Sequence, residues 1–231
     1  MRRTVAAYQI VGMSAFAMSL AFGITLLLSR PVGFDFAAYL LAARRLLAGQ
    51  ELYPSSEQLV IGPFGLFLYP PPVALLFVPF AGLPTDMSRA LWLGAGIALG
   101  VVLGVWCMRG KSTEDRWYTG AAAALFFPLL WEIQLGNLTL LTTVLCLFAH
   151  RLRERPATAG TFLALAIGLK LLPLTLLVFF IAAGRWRVTL WAALVSVAAV
   201  IVTWPFVGHE WSEFVRVLAT ISSSGPAEGP N

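Results

Sequence analysis

Three stretches of this chain run the length of a bilayer without one charged side chain: Val5–Leu28, Ala90–Met108 and Val188–Val207. A helical crossing of hydrocarbon takes about 20 apolar residues, because every backbone polar group must be satisfied within the segment itself. Only 12% of the residues are charged, against about 25% in a soluble domain, and 59% are hydrophobic. The sequence therefore predicts an all-α integral membrane protein whose apolar runs are spans rather than a buried core. Basic residues gather at the ends of the runs and do not interleave with exposed aromatics, so no nucleic-acid partner is expected, and membrane lipids are. Cys107 and Cys146 lie in or near apolar runs without ligand spacing and read as packing residues.

Arg2 and Arg3 precede the first run, which is long and lacks a cleavage motif. It reads as a retained span with a cytoplasmic N-terminus. The stretch from Arg30 to Gly65 then lies outside. Val73–Leu83 is punctuated by Pro72, Pro79 and Pro84 and is short, which favours a re-entrant or interfacial segment. Further spans are expected over Ala90–Met108, Trp117–Gln134, Leu138–His150, Ala157–Leu169, Leu172–Ala183 and Val188–Val207, giving about seven crossings. This topology puts ten of the sixteen basic residues and three of the eleven acids inside, as the positive-inside rule asks. The expectation is one membrane domain over 1–231. Its parts are a first span (1–29), an outer loop with interfacial helices (30–87), six further spans (88–208) and an outer, truncated tail (209–231).

The outer loop carries the most pointed pattern. After Gly33-Phe34-Asp35, the residues Phe36, Tyr39, Leu40, Ala43, Leu46 and Leu47 recur at helical spacing, and Gly49 is a stop signal. An amphipathic helix at the interface follows, its apolar face in lipid or against the bundle. In the tail, Trp211, Phe214, Val215 and Leu218 suggest a second interfacial helix, and Ser222-Ser223-Ser224-Gly225-Pro226 reads as loop.

Against this apolar background the polar residues are the candidates. Asp35, just past a span end, suits a general base toward an acceptor hydroxyl and equally suits a helix N-cap. Lys170, in Leu-Lys-Leu-Leu-Pro between two half-length runs, costs about 2.5–3.5 kcal/mol to insert if deep. It suits a phosphate ligand, or snorkelling and helix C-terminal pairing. Gln134 to Asn137 form an outer turn, where Asn137 either caps the next helix or helps face an anionic or sugar group. Tyr69 and Pro70–Pro72 could wall a groove or simply anchor at the interface. His209 could touch phosphate or stand in a loop, and Arg44 could bind phosphate or anchor at the interface.

The ordered set Gly-x-Asp-Phe-x-x-Tyr-x-x-Ala (Gly33–Ala42), Leu-x-x-Gly-x-x-x-Tyr (Leu46–Tyr53), Tyr-Pro-Pro (Tyr69–Pro71), Gly-Asn (Gly136, Asn137) and Lys-x-x-Pro (Lys170, Pro173) resembles the polyprenyl-phosphate-mannose-dependent mannosyltransferases of glycosyltransferase family 87, with the GT-C fold. It is also similar to the eukaryotic mannosyltransferase of the glycolipid anchor pathway. The resemblance covers roughly residues 1–215. It implies a GT-C-like bundle in the plasma (inner) membrane with its site on the outer face. The implied reaction is inverting transfer of a hexose, chiefly mannose, from a polyprenyl-phosphate sugar to a glycolipid or glycan acceptor. Asp35 matches the catalytic aspartate. Tyr39, Arg44, Tyr69, Gln134, Asn137, Lys170 and His209 are the substrate-binding candidates. No cofactor is implied, and no motif decides a metal requirement. Such enzymes run to about twice a usual domain length, so this chain is expected to be a piece or a minimal form. The alternatives are a non-enzymatic binder or transporter of lipid-linked sugar, and an inactive truncated subunit.

Overall fold

The structure, a computed structural model, describes residues 2–28, 32–55, 66–124 and 126–223. Arg30, the loop stretch 56–65 and the tail from 224 onward lie outside the described residues. All regular structure among those described is helical. The elements are α1 (Arg2–Leu28), α2 (Phe34–Leu47), α3 (Pro72–Ala81), α4 (Thr85–Met108), α5 (Thr113–Ala124), α6 (Phe127–Leu135), α7 (Thr139–Arg151), α8 (Pro156–Leu169), a 3-10 turn (Leu172–Leu174), α9 (Thr175–Ala182), α10 (Trp186–Val207) and α11 (Glu210–Ser223).

Helices α4 and α10, of 24 and 22 residues, are long and apolar enough to cross a bilayer. They leave Ile97, Val101, Val102 and Val105, and Leu194, Val197, Ile201 and Val202, exposed along their lengths. Water would penalise such continuous apolar surface, and lipid does not. The other apolar helices are shorter. At 1.5 Å per residue, α8 with its 14 residues is roughly 21 Å long against about 30 Å of hydrocarbon.

Three expectations change. The single span over Trp117–Gln134 is two helices, α5 and α6. Pro128 sits in the first turn of α6, where its missing N–H and its ring cannot continue the preceding helix. Leu172–Ala183 begins as a 3-10 turn around Pro173 before α9. The tail differs too, since Ser222 and Ser223 still belong to α11.

The chain divides into two compact units. The first comprises 1–34 and 89–140. In it α1 lies along α5, with Gly12 against Trp117, Gly120 against the Phe16 ring, and the Phe16 and Trp117 rings 5.7 Å apart. The second comprises 35–88 and 141–231, and its most extensive helix contact is α8 on α10. There Ala159, Gly160, Leu163, Val188 and Ala192 are all buried. A Cβ on Gly160 would stand 2.8 Å from the Ala192 amide nitrogen and 2.9 Å from the Val188 carbonyl. Small residues at this crossing let the two backbones meet, the usual way helices associate where lipid removes the hydrophobic driving force.

Helix α3 packs back onto α2. Pro72 occupies its first turn, where no donor is lost. Its 10 residues are too few to cross. They bury Val73, Ala74 and Phe77, and Phe77 meets the rings of Phe36 (5.9 Å) and Tyr39 (4.8 Å) on α2. The expected stripe of α2 is thus packed against protein: Phe36, Tyr39, Leu40 and Ala43 are buried together with Ala38 and Ala42, while Leu47 is exposed. The stop at Gly49 is as read. Its φ is +66°, and the Gln50 N–H closes back on the Arg45 carbonyl at 2.9 Å.

Candidate functional site

The second unit gathers three of the chain's five tyrosines around one lysine. Tyr69 is the hub. Tyr39, on α2, donates its hydroxyl hydrogen to the Tyr69 hydroxyl at 2.7 Å, with the rings edge to face at 4.9 Å. Tyr53, from the strap after α2, donates to the Tyr69 carbonyl at 2.7 Å. Lys170 carries its Nζ over the Tyr69 ring, 5.7 Å from the centroid. A cation so placed gains about 0.5–2 kcal/mol from the ring.

Each partner arrives for a local reason. Tyr39 lies on the buried face of α2. Tyr69 is set by the stiff Pro70–Pro72 entry to α3. Lys170 ends α8: its extended backbone terminates the helix and its N–H closes on Ala166, so its ammonium stands where a helix C-terminus welcomes positive charge. Asp35 is half-buried, one turn before Tyr39 and on the same side of α2. It lies inside the first turn of the helix rather than at the cap, which Gly33 occupies. An acid there faces the positive end of the helix dipole.

The other sequence candidates are held in more local arrangements. Arg44 donates from Nε to the Ala81 carbonyl (3.2 Å), from Nη1 to Thr85 Oγ1 (3.1 Å) and from Nη2 to the Leu83 carbonyl (3.1 Å). It fastens the end of α2 to the turn after α3. His209 is exposed, with Nε2 3.2 Å from Glu210 Oε1. In the first unit, Gln134 is buried, and its carbonyl accepts the Gly33 N–H at 2.7 Å. Gly33 has φ +78°, and a Cβ there would press on the Arg89 side chain at 2.9 Å, so glycine is required. Gly136, at φ +69°, caps α6, and its carbonyl accepts the Trp92 indole N–H at 2.7 Å. Asn137 Oδ1 accepts from the Thr139 N–H at 3.0 Å and hydroxyl at 2.9 Å, which is the capping role at the start of α7.

The sequence reading singled out Tyr39, Tyr69 and Lys170, and the structure brings them together. It missed the part played by Tyr53. Its signal was there: a tyrosine in an apolar chain seeks a partner for its hydroxyl when buried. Burial, reinforced by the nearby Glu210 carboxylate, holds the Tyr53 phenol above its ordinary range, so it remains a hydrogen-bond donor. Helix α11 closes this side through Phe214, whose ring lies 5.9 Å from that of Tyr53, and through Arg216, which donates to the Pro54 carbonyl at 3.0 Å. Its buried edge is Glu210, Phe214 and Val217, while Val215 and Leu218 are exposed. No cluster of three or more His, Cys, Asp or Glu side chains suited to a metal occurs among the described residues.

Comparison with known proteins gives these residues a setting. The sequence model of glycosyltransferase family 87 matches residues 67–231. The chain belongs to glycosyltransferase family 87. The matched region holds Tyr69, Gln134, Asn137, Lys170 and His209, while Asp35, Tyr39 and Arg44 precede it. Over 211 residues the chain is 28% identical to a polyprenol-phosphate-mannose-dependent alpha-(1-2)-phosphatidylinositol mannoside mannosyltransferase of Mycolicibacterium smegmatis, covering 80% of this chain and 48% of that protein. Over 169 residues it is 31% identical to a polyprenol-phosphate-mannose-dependent alpha-(1-2)-phosphatidylinositol pentamannoside mannosyltransferase of the same organism, covering 69% of this chain and 40% of that one. The chain thus spans about half the length or less of the curated relatives it matches. No solved structure matches it.

Proposed function

We propose that this chain carries the donor side of a membrane mannosyltransferase. In this reading it transfers mannose from a polyprenyl-phosphate donor to a glycolipid of the phosphatidylinositol mannoside class. The observation that carries the reading is the placement of Lys170 over Tyr69, with Tyr69 bonded to Tyr39 one turn from Asp35. A cation, an aromatic wall and a carboxylate are the parts such a displacement needs. Asp35 takes the proton of the acceptor hydroxyl as that oxygen attacks the anomeric carbon. The bond from that carbon to the phosphate oxygen breaks, and Lys170 offsets the charge on the departing polyprenyl phosphate. Rate then comes from positioning and from electrostatics fixed in advance. Tyr39 and Tyr53 hold the Tyr69 ring rather than react.

The topology that goes with this reading has the N-terminus in the cytoplasm, about seven crossings of the inner membrane and the site on the outer face. It is supported by the placement of ten of sixteen basic residues on the inner side. In the full-length enzyme, Asp35→Asn abolishes transfer of radiolabelled mannose from the polyprenyl-phosphate donor while the protein extracts, elutes and melts like the parent. Near-parental transfer by that variant would remove Asp35 from the chemistry.

A further inference from the structure

At the other end of α8 from Lys170 the second unit has an apolar cavity of about 260 Å³ between α7 and α9. Its wall includes Cys146, Leu147 and His150 from α7 and Leu176, Phe179 and Phe180 from α9, and is almost wholly apolar. The His150 and Phe179 rings stand 5.9 Å apart at its edge. The volume is below the roughly 300–1,000 Å³ that encloses a whole drug-sized ligand. It suits a stretch of one hydrocarbon chain.

The chain segments that adjoin this cavity are strongly basic. The α7–α8 loop and the α9–α10 turn meet there, because Arg185 donates from Nη1 and Nη2 to Glu154 Oε2 and Oε1 at 2.7 and 2.5 Å. Each loop is also tied to a cavity-lining residue. Arg153 Nη1 donates to the His150 carbonyl at 3.2 Å, and the Arg185 N–H donates to the Phe180 carbonyl at 2.7 Å. Between His150 and Arg187 the sequence places Arg151, Arg153, Arg155, Arg185 and Arg187 at this end against Glu154 alone. Glu154 neutralises one arginine, Arg185, while Arg151 and Arg155 are exposed. An apolar slot and an excess of arginine in the segments next to it are complementary to one kind of molecule. A phosphodiester is met by the planar fork of arginine, and its acyl chain by the slot. Basic pockets of this kind between membrane helices are where anionic lipid head groups bind.

We infer that the α7–α9 cavity and its adjoining arginines bind an anionic phospholipid, one acyl chain in the cavity and the phosphodiester on Arg151 and Arg155. The site is separate from Asp35, Tyr69 and Lys170, and it rests only on the helices lying in a membrane. The lipid would brace the short α7 and α9 against the bilayer.

The test uses the full chain purified in a zwitterionic detergent, with dioleoylphosphatidylglycerol or dioleoylphosphatidylcholine added and the unfolding midpoint read. Phosphatidylglycerol raises the midpoint saturably by several degrees, and phosphatidylcholine at equal concentration does not. The double variant Arg151→Gln/Arg155→Gln, altered only at exposed positions, needs about tenfold more phosphatidylglycerol for the same rise. Cys146→Phe, which fills the slot, removes the rise. The proposal is overturned if the two lipids act alike, or if the arginine variant responds like the parent, which decides the matter even should Cys146→Phe fail to fold. It is equally overturned if polyprenyl phosphate, and not phosphatidylglycerol, gives the rise that Cys146→Phe removes, since the slot would then belong to the donor.

Discussion

Among single residues, Tyr69 and Glu210 carry opposite lessons. Tyr69 is satisfied on every side: its hydroxyl, its carbonyl and its ring face all have partners. Tyr39→Phe removes the hydroxyl that bonds it and should cost about 0.5–1.5 kcal/mol in unfolding free energy, read from denaturant or thermal melts. Lys170→Met keeps the packing of the stem and removes the charge, so it should weaken donor binding more than it lowers stability, which titration with polyprenyl phosphate would separate. Glu210 is only 2% exposed, and its Oε2 finds no hydrogen-bond partner. Burial raises its pKa, with His209 and the Leu52 backbone N–H pulling the other way. An acid whose folded pKa lies above its unfolded one stabilises the fold least when ionised. The contribution of Glu210 to stability is therefore fully present below the usual carboxylate range and falls away as pH rises through the raised folded value. Glu210→Gln should remove that fall and raise the neutral-pH midpoint. Each kcal/mol gained is worth about 2–4 °C in a chain of this size, and parental pH dependence in the variant would refute the assignment.

At the level of elements, the legible features were those with a local cause. The α2 stripe, the stop at Gly49, the short α3 and the break at Lys170 all follow from spacing, a positive-φ glycine or proline. Pro128 was equally visible, but the apolar run continues unbroken past it, and hydropathy alone read α5 and α6 as one span. Contacts between distant residues were not legible. Arg44 looked available for phosphate in sequence. Its three acceptors come from Ala81, Leu83 and Thr85, about forty residues on, and no periodicity announces them. The α8–α10 crossing is similar: Gly160 is one small residue among several until Val188 and Ala192 are seen against it. Gly160→Leu should force those backbones apart and cost at least the roughly 1–3 kcal/mol typical of overpacking. Thermal melts would show it, whereas Gly168→Leu, where a Cβ meets nothing within 4 Å, should leave the midpoint close to the parent.

For the whole molecule, the question is which compartment each end of the second unit faces. Asp35, Tyr69 and Lys170 belong to one end, and the arginines of the α7–α8 loop cap the opposite end of α8. The proposed orientation of this axis rests on sequence charge alone, since moving the arginines outward would reverse the positive-inside balance. The orientation is open to direct measurement. In a background with Cys107 and Cys146 replaced by serine, single cysteines at the exposed positions Ala37, Leu172 and Arg153 report the two ends. A membrane-impermeant maleimide applied to intact cells should label Ala37→Cys and Leu172→Cys, and should reach Arg153→Cys only after permeabilisation. The logic does not depend on catalysis: a carboxylate and an ammonium that serve one sugar phosphate must share one body of water. Labelling of positions 37 and 172 from opposite compartments would deny them that water, and with it the donor site built on Tyr69.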